Sequence, residues 1–258
     1  MLKYLKIIQM IFTNKKQMKF MLLSYLFRFV RVALLLSIWQ VLFDFETNQV
    51  GMSISQVLKY TFLAEVFGGF LNINTGFVEE LCYGSITRRF QRPMGIFTQI
   101  GLETIGRCMV NFLFFSIPLL LLSPLFGIQP LPENALQFIL FMISLLLAIV
   151  VGLLIDFLFA SFTISLEQNM DVVNQVRTTL TMILSGAFIP LVMLPWGIGG
   201  AISLLPFATL ASVPLQIYLN MGNAFQLIGL QIFWTAALIP LTLWVWRHNR
   251  EKIISFGG

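Results

Sequence analysis

The chain is 258 residues long, 58% hydrophobic and only 10% charged. A soluble domain carries about 25% charged residues, so no soluble domain fits inside it, and its polar gaps are too short to bury a core. Lys and Arg number 16 against 11 Asp and Glu, a formal net charge of +5, yet no nucleic-acid motif accompanies the excess.

In chain order, residues 1–19 hold five lysines spread through the stretch, and no small-residue cleavage site follows, unlike a signal peptide. Leu2, Leu5, Ile8 and Phe12 recur at helical spacing with Lys3, Lys6, Lys15 and Lys16 on the other side. That pattern predicts an amphipathic interfacial helix, the alternative being a basic flank to the first span. Six apolar segments follow, at 20–43, 57–77, 104–126, 135–162, 178–194 and 225–246. A bilayer core of roughly 30 Å needs about 20 helical residues, and most of the segments reach that length. Backbone in hydrocarbon must satisfy its own hydrogen bonds, and alternating ten-residue strands are absent, so an all-α polytopic membrane protein is expected. The whole of 1–258 is expected to be one membrane domain.

Charge sets the orientation. With the N-terminus inside, 15 of the 16 Lys and Arg fall on the cytoplasmic side, Lys59 being the exception. The positive-inside rule favours this arrangement, with both termini cytoplasmic and an even number of crossings. Cys82 and Cys108 then lie on the reducing side and are expected to be packing thiols. Arg28 and Arg31 sit inside the first apolar run, where they either snorkel to the interface or face a polar cavity or partner. From Ser185 to Pro214 there is no charge, yet Pro190, Pro195, Pro206 and Pro214, with Gly197, Gly199 and Gly200, forbid a straight helix. Residues 195–223 are therefore expected to form a re-entrant helical hairpin at the outer leaflet, rather than two further spans.

The loop between the second and third segments, 78–103, carries Glu79, Glu80, Arg88, Arg89 and Arg92 among hydrophobes, and Pro93 stops any helix at Arg92. Gly84-Ser85-Ile86 followed by Arg92-Pro93 resembles the G-x-I … L-x-R-P loop of ABC-2 type exporter permeases. Arg88-Arg89-Phe90 stands where that pattern commonly has a Leu before the Arg-Pro. The run Ser185 to Pro190, with Leu194-Pro195, Leu205-Pro206-Phe207 and Pro214, is similar to the same family's region around its last spans. The resemblance covers nearly the whole chain. It implies a permease subunit of an exporter in a bacterial plasma membrane, paired with an identical or paralogous permease and with a cytoplasmic ABC ATPase dimer. ATP and Mg would be bound by that ATPase and not by this chain. By position, Glu79, Glu80, Arg88, Arg89 and Arg92 become the ATPase contacts, a role suited to ion pairs that set orientation between partners.

Two carboxylates lie within apolar segments, Glu65 and Asp156. Each costs roughly 2.5–3.5 kcal/mol near a bilayer centre, so each must face protein or water. Either they line a substrate or proton path, or they are hydrogen-bonded packing residues; Lys59 is the nearest cation in sequence to Glu65. Glu103 and Arg107 have the spacing of a helical ion pair. Gly68-Gly69 invites close helix packing, and Trp244 and Trp246 suit an interfacial anchor. Glu167, Asp171 and Arg177 offer either a second ATPase contact or a solvated turn. No Gly-x-x-x-x-Gly-Lys phosphate loop occurs, and the single His, His248, leaves no His-based metal or nucleophile site, so no catalytic residue is assigned. The apolar interior and the lack of a dense charged cavity lean the cargo toward a drug, lipid or peptide of amphipathic or hydrophobic character. A non-transporting immunity or assembly factor is the alternative.

Overall fold

The computed structural model describes residues 15–45, 51–83, 85–91, 93–132, 134–166 and 170–256, which form helices with no strand among them. Helix α1 (Lys15–Phe45) is unbroken and takes Lys15 to Lys19 into the same rod as the first apolar run. The rest of the expected interfacial helix, residues 1–14, lies outside the described residues. After it come α2 (Ile54–Val66), α3 (Gly68–Leu71), α4 (Phe77–Cys82), α5 (Thr87–Phe90) and α6 (Ile96–Asn111). A π turn at Phe112–Ser116 joins α6 to α7 (Ile117–Leu121). Pro118 explains the widened turn, because its ring clashes with the carbonyl four residues back and it has no N–H to donate. The remainder is α8 (Ala135–Leu166), α9 (Met170–Leu184), α10 (Ile198–Ser203), α11 (Ala208–Tyr218) and α12 (Ala224–Phe256).

Four stretches are long and apolar enough to cross a membrane: Leu23–Asp44, Ile96–Leu121, Ala135–Thr163 and Ala224–His248. The segments expected at 57–77 and 178–194 are not continuous long helices. At about 1.5 Å per residue, the 13 residues of α2 reach only some 20 Å, well short of a bilayer core. A capping box starts α2, with Gln56 N donating to Ser53 Oγ and Ser53 N donating to Gln56 Oε1. It ends because Phe67 leaves helical geometry (φ −92°, ψ 6°) just before the glycine pair. At Gly69 a Cβ would come within 2.6 Å of Asn111 Cγ, so this glycine allows the close approach of α3 to α6. Helix α9 stops at Leu184, where Ser185 and the left-handed Gly186 (φ 76°) turn the chain.

Pro195–Ser203 and Ala208–Tyr218 lie at 99° to one another. Before that bend, α10 packs closely on the Leu191–Met193 turn: a Cβ at Gly199 would sit 1.9 Å from the Leu191 carbonyl oxygen. Helix α11 is buried along nearly its whole length, packed on α8 and α12. Gln231 on α12 locks the three together, its Nε2 donating to the carbonyls of Ser144 (3.1 Å) and Thr209 (2.9 Å). Helix α8 is the central post, touching α12, α11, α9 and α4.

Trp246 is buried against Phe77 and Phe97 (ring centroids 5.6 and 5.3 Å), so it packs the base of α4 rather than anchoring at an interface. Trp244 remains exposed and stacks on His248.

Candidate functional site

The break between α3 and α4 leaves residues 72–76 unwound, and their backbone groups need partners from elsewhere. Two arginines supply them. Arg177 Nη1 on α9 donates to the Ile73 carbonyl (2.7 Å), and Arg107 Nη2 on α6 donates to the Thr75 carbonyl (2.8 Å) and Thr104 Oγ1 (3.2 Å). Thr75 N and Oγ1 both donate to Asp156 Oδ2, the first at 3.1 Å. Phe77 N closes the turn on Thr75 Oγ1, and Gly76 N closes on Asn74 Oδ1. Upstream, Ser116 Oγ donates to the Val66 carbonyl and Cys108 Sγ to that of Gly69.

Asp156 thus sits at the junction of α8, α9 and the unwound segment. Arg177 Nη1 lies 2.9 Å from its Oδ1, and both side chains are almost wholly buried, at 2% and 4% exposure. Buried Arg177 faces inward, unlike either a second ATPase contact or a solvated turn shared with Glu167 and Asp171; Glu167 lies outside the described residues.

Glu65 pairs with Arg31 (2.9 Å) and not with Lys59. Arg28 and Arg31 both line a cavity of about 670 Å³ beside the α2–α3 break. Arg28 also lies over the Phe115 ring, 4.4 Å from its centroid. Arg107, Asn72, Asn74 and Asn111 reach the same cavity. The lack of a charged cavity expected from sequence is therefore corrected, because α1, α2 and α6 bring these distant residues together. The expected Glu103 and Arg107 pairing is also displaced: Glu103 accepts from Arg89 (2.8 Å), while Arg107 serves the unwound segment.

The 78–103 loop is a folded platform. Phe77, Val78, Leu81 and Ile86 pack against Ile100, Phe157 and Trp246. Buried Arg89 is gripped by Glu80, with Nη2 2.5 Å from Oε1 and Nε on Oε2, and by Glu103. The Glu80 carboxylate, aided by Glu103 and opposed by burial, holds the Arg89 guanidinium above its ordinary pKa. Gln99 Nε2 caps the turn by donating to the carbonyls of Arg89 (3.0 Å) and Met94 (2.7 Å). Glu79 turns toward α9, where Asn174 Nδ2 donates to its Oε1 (3.1 Å). Of the five loop residues singled out from sequence, Arg88 is the one whose side chain is exposed among the described residues; Arg92 lies outside them. Beside Arg88, the apolar side chains of Tyr83 (75% exposed), Phe90 and Met94 also face outward.

Sequence reasoning missed Thr75, Asn72, Asn74 and the roles of Arg107 and Arg177. The available signal was a polar stretch, Asn72 to Thr75, inside an otherwise apolar segment, which marks a break rather than a span.

The sequence from 10 to 257 matches the family described as ABC-2 family transporter protein. No curated protein and no solved structure matches. This family supplies non-catalytic membrane permease subunits and implies a partner ABC ATPase. The chain belongs to the ABC-2 transporter family.

Proposed function

We propose that this chain is the permease subunit of an ATP-driven exporter in a cell membrane, moving an amphipathic or hydrophobic substrate outward. Both termini are cytoplasmic, as the distribution of Lys and Arg favours. The polypeptide crosses six times: four long spans, the broken α2–α3 crossing, and α9 with the turn that follows it. The bent Pro195–Ser203 and Ala208–Tyr218 pair is a re-entrant hairpin at the outer side. It carries no charge, and its inner arm is enclosed by protein, the setting in which broken backbone is tolerated at membrane depth.

The observation that carries this reading is the continuity of platform and cavity. Thr75 is tied to Arg107 and Asp156, Asn72 and Asn74 line the cavity, and α4 begins two residues after Thr75. A displacement of the platform by an ATPase is delivered directly to the segment that lines the cavity. In this scheme Arg88, joined by Arg92, meets the ATPase, with Tyr83, Phe90 and Met94 supplying apolar contact. Glu80 and Arg89 hold the platform's shape, and Glu79 links it to α9. Glu65 and Asp156 hold the cavity wall and the unwound segment through Arg31 and Arg177. A partner ATPase dimer binds the ATP and Mg, and a second permease, identical or a paralogue, completes the complex.

The test is co-expression with the cognate ATPase, affinity purification through this chain, and measurement of ATP turnover in vesicles. The exporter reading expects co-purification and turnover above that of the isolated ATPase. A protein that retains no ATPase, or one whose presence leaves turnover unchanged, is a non-transporting membrane factor.

A further inference from the structure

The 670 Å³ cavity has an unusual charge balance for a space walled by membrane helices. Its lining holds three arginines, Arg28, Arg31 and Arg107, against one carboxylate, Glu65. Glu65 takes up Arg31, and Arg107 spends Nη2 on Thr75 and Thr104. Glu79 is a further carboxylate close to Arg107: a Cβ at Gly76 would meet its Oε2 at 3.9 Å and Arg107 Nη1 at 4.0 Å. Even counting Glu79, one positive charge is left over. Guanidinium groups among membrane helices are costly without a counter-charge, and their planar forks match phosphate oxygens closely.

A second opening adjoins the first. A groove of about 280 Å³ is lined by Tyr25, Leu26, Phe29, Phe115, Leu119 and their apolar neighbours, and Arg28 is its single charged residue. Arg28 belongs to both spaces, its guanidinium over the Phe115 ring where polar cavity gives way to apolar groove. A polar, cation-rich chamber adjoining an apolar slot, with Arg28 at their shared wall, suits a molecule with an anionic head and a hydrophobic tail.

We propose that the cavity and groove together bind an anionic amphiphile, its phosphate-type headgroup among Arg28, Arg31 and Arg107 and its apolar tail along Phe29, Phe115 and Leu119. This names the substrate class of the permease and rests on that reading for transport, though binding itself needs no ATPase. Asn72 and Asn74, on the unwound segment, add amide groups to the head chamber. The arrangement selects against a neutral amphiphile, which would leave the excess guanidinium charge unmatched.

The experiment uses the full chain in nanodiscs of phosphatidylcholine, titrated with a phosphatidic acid and read by native mass spectrometry or a tritiated lipid. Saturable phosphatidic acid binding is expected, with no comparable retention of diacylglycerol and no competition by millimolar inorganic phosphate. Replacing Arg28, Arg31 and Arg107 together by Gln weakens binding about tenfold or more, while Lys59→Gln outside the cavity leaves it unchanged. Glu65→Gln, which frees Arg31 and should fold, tightens binding several-fold. Equal retention of diacylglycerol overturns the proposal, as does phosphatidic acid binding that survives the triple replacement or weakens in Glu65→Gln. Competition by inorganic phosphate alone overturns the tail assignment and with it the amphiphile. Absence of lipid binding with intact ATPase stimulation defeats this inference alone; lipid binding by a chain that neither retains an ATPase nor raises its turnover defeats the permease reading alone.

Discussion

Asp156→Asn separates a structural ion pair from a substrate-contacting carboxylate. The amide keeps the size of the side chain and an acceptor for Thr75, but it removes the charge facing Arg177 at 2.9 Å. Arg177 is 3% exposed and cannot recruit water. Stripping one partner from a buried pair costs about 3–5 kcal/mol. Arg177 retains its bond to the Ile73 carbonyl, which places the expected loss at the lower end, about 3 kcal/mol. The weakening of the two Thr75 bonds, from a charged to a neutral acceptor, adds about 1 kcal/mol. Equilibrium unfolding in mixed micelles measures the total, and the reaction rate of buried Cys108 with a small thiol reagent reports opening near the break. Because replacing both charges by apolar side chains is often neutral, Asp156→Leu combined with Arg177→Met should recover most of the stability. A loss below about 1 kcal/mol in Asp156→Asn, or a double variant as unstable as the sum of the singles, refutes the structural account. A stable double variant that cannot transport would return Asp156 to the substrate path.

Arg89→Ala and Arg88→Ala should behave oppositely despite being neighbours. Arg89→Ala uncouples Glu80 from Glu103 and lowers platform stability by about 1.5–3 kcal/mol, seen as faster proteolysis of the loop. Arg88→Ala, on an exposed side chain, should leave stability within about 0.5 kcal/mol and lower ATPase stimulation instead. Gly199→Ala forces a methyl against the Leu191 carbonyl and should cost about 1–3 kcal/mol in the same unfolding assay, whereas Gly200→Ala, with open space around it, should be nearly silent. Tyr60→Phe removes the hydroxyl that donates to the Gly186 carbonyl (2.8 Å) between α2 and the turn after α9, and should cost about 1 kcal/mol.

The sequence made the membrane class legible because hydropathy and charge are local properties summed over a window. It also marked the 78–103 loop, through Pro93 and its mixed charges, and the bent stretch before the last span, through Pro190, Pro195 and the glycines. What it hid was pairing. Glu65 takes Arg31 from another helix rather than nearby Lys59, and Glu103 takes Arg89, 14 residues back, across the loop. Arg177, read as loop charge, is 21 residues from Asp156 in sequence and in contact with it where α9 packs on α8. Window hydropathy also passed over the break at Asn72 to Gly76, because flanking Phe and Leu residues outweigh three polar positions. Side chains that satisfy an unwound backbone come from wherever the fold places them, and that placement is not periodic in sequence.

The central claim is that the Tyr83–Met94 surface meets a cytoplasmic ATPase. A single cysteine in place of Arg88, with Cys82 and Cys108 changed to Ser, tests it in membranes containing the ATPase. The account predicts that a short bifunctional reagent joins this cysteine to the ATPase, and that an impermeant thiol reagent reaches it in inverted vesicles but not in intact cells. Labelling from outside intact cells, or a cysteine that never joins the ATPase while the complex hydrolyses ATP, would contradict it.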